Sequence, residues 1–169
     1  MKRLWLLRHA KSSWDQPSLP DADRPLAPRG WRAAEVLAAH LAASDVRPMV
    51  VLCSSSLRTR ETLAAVLPAL GDALEIRIER ALYGAGAAQL LDQLRQVSNK
   101  ASSAMLIAHN PGIQDLALSL AGAGSEIPRL RSRFPTAGLA TLELKGTWRE
   151  LAPDRAELVS FVKPKELSR

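Results

Sequence analysis

A chain of 169 residues, 47% hydrophobic and 24% charged, has the size and composition of one globular domain with its own core, and a single domain over 1–169 is expected. No apolar run nears the ~18 residues that cross a bilayer. Arg8 and His9 break the N-terminal apolar stretch too early for a secretory signal, so a cytoplasmic protein without membrane association is expected. The net charge of +6 favours anionic partners, yet the cations are scattered and aromatic residues are only 4%, which argues against a nucleic-acid binder.

Residues 3–8 form a short strand, apolar on both faces, that ends abruptly in Arg8-His9-Ala10-Lys11-Ser12-Ser13. Residues 11–28 hold four prolines and little periodicity. They read as a loop, too long for a plain connection and therefore functional. Ala34, Leu37, Ala38 and Leu41 mark a helix over 30–43. A buried strand follows at 49–54 and contains Cys53, the sole cysteine. Cys53 excludes an internal disulfide and a CxxC zinc site, fits a reducing compartment, and reads as a small buried side chain. A helix spans 58–70, with Pro68 bending or ending it. Residues 74–78 alternate as a strand, 87–97 form a helix with Leu90, Leu91 and Leu94 inward, and 103–109 form a strongly buried strand.

Asn110-Pro111-Gly112 opens the next helix, with Asn110 as N-cap and Pro111 as first helical residue; it runs to about Leu120, where Gly122 and Gly124 stop it. Residues 122–135 read as loop. Residues 138–144 and 156–162 alternate and form a hairpin-like pair. Strands alternating with helices predict a three-layer α/β/α sandwich, its central sheet mostly parallel. The last pair has no helix between its strands, so an antiparallel edge strand is expected. His40 lies in an Ala/Leu helix without partner spacing and is assigned no function.

Ligands of such sheets sit beyond the carboxyl ends of the strands. Three of those ends carry chemistry: Arg8-His9, the run from Ser54 into Arg58, and His109-Asn110. Two arginines clamp a phosphoryl group with paired, charged hydrogen bonds. A histidine between them, kept neutral by nearby cations, attacks phosphorus and becomes a phosphohistidine that water hydrolyses. A second histidine donates to the phosphoryl oxygens. Arginine and histidine supply the positive charge, so neither metal nor other cofactor is required. Two histidines, without an HExxH pattern, are too few for a metal site.

LLRHAKSSW resembles the Arg-His motif of the histidine phosphatase superfamily, which also holds the phosphoglycerate mutases. SSSLRTRET (54–62) is similar to its second-arginine motif, with Arg58 and Thr62 one helical turn apart, and MLIAHNPG (105–112) to its second-histidine motif. The short length, DRPLAPRG (23–30), AHNPGI and the closing FVKPKEL resemble the SixA group of phosphohistidine phosphatases. The resemblance spans the chain. It implies a phosphoglycerate mutase-like fold, His9 as nucleophile, Arg8 and Arg58 as phosphate clamps, His109 as transition-state donor, and by position Ser12 and Ser13 as lining of the same pocket.

Two departures stand out. Ala10 occupies a place where the family signature has glycine, and a methyl group should fit there. Many relatives carry a glutamate acid after the third strand, whereas Gly84-Ala85-Gly86-Ala87-Ala88 offers no carboxylate and Glu79 lies early. Asp15, Asp21 or Asp23 in the long loop could supply an acid instead. Without one, a leaving group that departs readily is favoured, such as the imidazole of a phosphohistidine. No long insertion is available for a lid, so an open site suited to a protein substrate is expected. The expected substrate is thus a phosphohistidine-bearing signalling protein or a small phosphorylated compound, handled by a monomer. The alternatives are a general phosphomonoesterase of the same superfamily and a non-catalytic phosphoprotein-binding module.

Overall fold

A computed structural model describes residues 1–167. The strands are β1 (Lys2–Arg8), β2 (Val50–Ser54), β3 (Glu75–Glu79), β4 (Ser103–Ala108), β5 (Ala121–Ala123), β6 (Leu139–Leu144) and β7 (Ala156–Val162). The helices are α1 (Pro28–Ala43), α2 (Leu57–Val66), α3 (Ala87–Arg95), α4 (Gly112–Leu120), α5 (Ile127–Ser132) and α6 (Pro164–Leu167). The strands form one sheet in the order β3-β2-β4-β1-β6-β7-β5. β1, β2, β3 and β4 pair in parallel.

Apolar residues on both faces of the inner strands dictate the layers. Leu4 and Leu6 of β1, with Ala104 and Leu106 of β4, pack beneath Leu90, Leu94, Ile113 and Leu116 of α3 and α4. Trp5, Leu7, Met105 and Ile107 point the other way, against Leu37 and Leu41 of α1 and Leu63 and Val66 of α2. The result is the expected α/β/α sandwich. Cys53 lies within this second layer, fully buried, and burial pushes its thiol up to about 12. No helix among the described residues is long and apolar enough to cross a membrane.

Three local expectations are corrected. The reversed strand is β6, antiparallel to both β1 and β7, and it lies inside the sheet rather than at its edge because β5 and β7 extend the sheet beyond it. The stretch 122–135 is not all loop, since it carries the end of β5 and all of α5. β5 is three small residues without alternation, and α5 buries only Leu130, so neither had a readable period. Helix α4 begins at Gly112 after a cis Asn110–Pro111 bond. Asn110 is not its cap, because its amide donates instead to Gln114 and to the Phe134 carbonyl. Pro68 ends α2 as expected, in a 3-10 turn over Leu67–Ala69.

Candidate active site

The carboxyl ends of β1, β2 and β4 meet on one rim. In the register of the parallel pair, Arg8 stands opposite Ala108, and the His9 amide donates to the Ala108 carbonyl. His9 and His109 therefore leave adjacent strands side by side, with ring centroids 5.3 Å apart. β2 runs through Ser54 into α2, whose N-cap Ser56 accepts from the Thr59 amide. Arg58 lies in the first turn of that helix, so the rim also carries the helix's positive end.

The His9 ring has a fixed orientation. Its Nδ1 lies 2.7 Å from the Ala10 carbonyl oxygen. A carbonyl only accepts, so Nδ1 carries the proton and the neutral ring keeps its lone pair on Nε2. Ala10 is held in turn. Its amide donates to Thr62 Oγ1 at 2.9 Å, and the Thr62 hydroxyl donates to the Arg58 carbonyl at 2.7 Å. One threonine thus ties the loop after β1 to the turn that carries Arg58. The Ala10 methyl is fully buried against Leu26, Ala34 and Ala137.

Burial is the main reason that the His9 pKa falls to about 3, and the charges of His109, Arg58 and Arg8 add to it. The cations alone, which the sequence singled out, are the smaller part. His109 is likewise lowered to about 4, first by burial and then by Arg58. Both rings are neutral at pH 7. His109 Nε2 lies 2.7 Å from Ser54 Oγ, and its buried Nδ1 has no protein partner. Arg8 donates from Nη1 to the Phe134 carbonyl at 2.9 Å, while its buried Nε has no partner.

The structure brings Arg8, His9, Arg58 and His109 together. Among the described residues, Ser12 and Ser13 make their hydrogen bonds within the long loop and not to these four side chains. Ser12 Oγ accepts from Arg24, Ser13 Oγ accepts from the Asp15 amide, and the Ser13 carbonyl accepts from Arg24 Nε. These serines stitch the long loop instead, together with the Ala27-to-Lys11 and Leu26-to-Glu61 hydrogen bonds. The loop delivers Asp21, on a short 3-10 turn, to the rim.

Asp21 was a candidate acid, but its surroundings hold it as a carboxylate. Hydrogen bonds from Tyr83, Arg58 and Arg24 lower its pKa to about 2. Two contributors were given no role by the sequence. Ser54, read as part of a strand end, partners His109. Tyr83 stands edge-on to His109 with centroids 5.5 Å apart, and its hydroxyl donates to Asp21. Only the proximity of the Tyr83 segment to the missing-acid region hinted at it.

The sequence profile of the histidine phosphatase superfamily (branch 1) matches residues 4–86, which include Arg8, His9 and Arg58. An uncharacterized Mycobacterium leprae protein is 34% identical over 165 residues, covering 94% of this chain and all of its own. A Nakamurella multipartitia structure, provisionally named the phosphohistidine phosphatase SixA, superposes with a TM-score of 0.83 at 31% identity, with 96% of each chain covered. An Agrobacterium tumefaciens structure of the same provisional name gives 0.83 and 31%, covering 96% of this chain and 98% of its own. The chain belongs to the histidine phosphatase superfamily. Within it the chain is SixA-type, and the activity class that follows is that of a phosphatase. In this histidine phosphatase, Ala10 fills the position expected to be glycine without displacing the rim, since its side chain faces the core.

Proposed function

We propose that this histidine phosphatase is a metal-independent protein phosphohistidine phosphatase that works through a covalent phosphohistidine on His9. Arg8 and Arg58 hold the phosphoryl oxygens. His9 Nε2 attacks phosphorus in line, forming an N–P bond as the P–N bond to the substrate histidine breaks. The substrate ring, which carries a proton on its other nitrogen, keeps the bonding electron pair and leaves as neutral imidazole. His109, accepting from Ser54 at Nε2, donates its Nδ1 proton to a phosphoryl oxygen and stabilises the charge that builds there. Water then attacks phosphorus, the His9–P bond breaks, Nε2 regains its lone pair, and inorganic phosphate leaves with the water's oxygen.

One observation carries the choice of leaving group. Asp21, the carboxylate that the long loop brings to Arg58, has both oxygens accepting from Arg58, Arg24 and Tyr83, which hold it in its ionised form without a proton to give at neutral pH. An alcohol leaving group, with a pKa near water's ~15.7, needs a positioned acid. An imidazole, whose conjugate acid has a pKa of ~6.5, does not. That difference of roughly nine units favours P–N over P–O cleavage.

The test compares kcat/KM for a phosphohistidine-bearing domain and for an alkyl phosphate, at pH 7 in chelator. Strong preference for the phosphohistidine supports the reading. Equal or reversed preference would make the protein a phosphomonoesterase with another acid. Tight binding of the phosphodomain without phosphate release would make it a binding module.

A further inference from the structure

We propose that Asp21 is a positioning residue for Arg58, and that Tyr83 and Arg24 hold it in that task. The inference rests on the reading of Arg58 as a phosphate clamp. Arg58 is a long side chain on the first turn of α2, and only 9% of that side chain is exposed. Both of its terminal nitrogens go to one residue. Nη1 donates to the Asp21 carbonyl at 2.7 Å and Nη2 to Asp21 Oδ2 at 2.9 Å. A guanidinium has five N–H groups in a rigid plane. A two-point hold fixes that plane and leaves three donors for a phosphoryl group.

Asp21 is itself braced. Tyr83 donates to the oxygen that Arg58 uses, and Arg24 donates to the other at 3.1 Å. Arg24 is anchored by Ser12 and Ser13, and its guanidinium carbon lies 3.2 Å from the Trp14 ring centre. The loop after β1 therefore ends in a rigid carboxylate rather than a mobile one.

A carboxylate beside a phosphate clamp weakens the clamp's attraction for an anion in the ground state. Its benefit lies in orientation, which counts when phosphorus is in flight between two nitrogens. Removing it should therefore divide the kinetic constants. Asp21→Ala should lower kcat about tenfold on p-nitrophenyl phosphate. It should leave inhibition by inorganic phosphate as strong as in the wild type, or stronger. A purely structural loss would not produce that division.

A double-mutant cycle identifies the route. Lysine at 58 keeps the charge but lacks the fork that Asp21 holds. In the Arg58→Lys background, Asp21→Ala should change kcat less than twofold. The same loss in both backgrounds, or an unchanged kcat in Asp21→Ala alone, overturns the inference. Asp21→Asn, whose side-chain oxygen still accepts from Arg58, is run alongside with melting temperatures and should recover part of the lost kcat; a stable Asn variant no better than Asp21→Ala also overturns it. If Arg58→Lys alone turns over like wild type, the clamp reading of Arg58 fails instead, and the two failures are told apart.

Discussion

At the scale of single residues, the proposed nucleophile depends on a backbone carbonyl. Ala10 fixes the proton of His9 on Nδ1, and burial keeps the ring neutral. His9→Ala should abolish phosphate release, and activity near wild type would refute the mechanism. Arg8→Ala should raise the barrier by about 3 kcal/mol, seen as a drop of roughly a hundredfold or more in kcat/KM. Thr62→Val strands the buried Ala10 amide without an acceptor, which costs about 1–3 kcal/mol of stability by chemical denaturation. The four charged or imidazole residues of the rim were legible because each sits where an apolar strand surfaces. Ser54, Tyr83 and the role of Asp21 were not, since their partners lie 37 to 62 residues away in sequence and only the fold joins them.

At the scale of elements, the site depends on close approaches between helices and the rim loops. Gly30 in α1 packs against the Lys11 carbonyl, where an added Cβ would sit 2.1 Å from the oxygen. Lys11 immediately follows Ala10, so Gly30→Ala should push the loop behind His9 outward. The expected result is a loss of about 1–3 kcal/mol by thermal melting, with a parallel fall in kcat. Gly112 makes the same kind of contact between α4 and the Ala85 carbonyl, at 2.2 Å, just past His109. The strands and longer helices were readable from the period of their apolar residues. β5 and α5 were not, because three small residues and a six-residue helix with one buried side chain show no period.

At the scale of the whole molecule, the site makes the fold acid-sensitive. The unfolded chain protonates His9 and His109 near pH 6.5. The folded chain does so only near about 3 and about 4. Between those limits the unfolded state binds more protons, so stability rises with pH and is lost as pH falls from 7 toward 4. Melting temperatures across that range should fall with acid, and His9→Asn with His109→Asn should flatten the slope. A slope unchanged in the double variant would place the acid sensitivity elsewhere.

The sheet order has a consequence in time as well as in space. β1 leaves the ribosome before both of its sheet partners, β4, about a hundred residues later, and β6, later still. Its apolar faces stay uncovered through most of synthesis, and His9 meets His109 only once that distant pairing closes. Long-range closures of this kind are the slow events of folding. On refolding from denaturant, the candidate site should therefore be among the last features to appear, and recovery of phosphate release should coincide with completion of the native sheet.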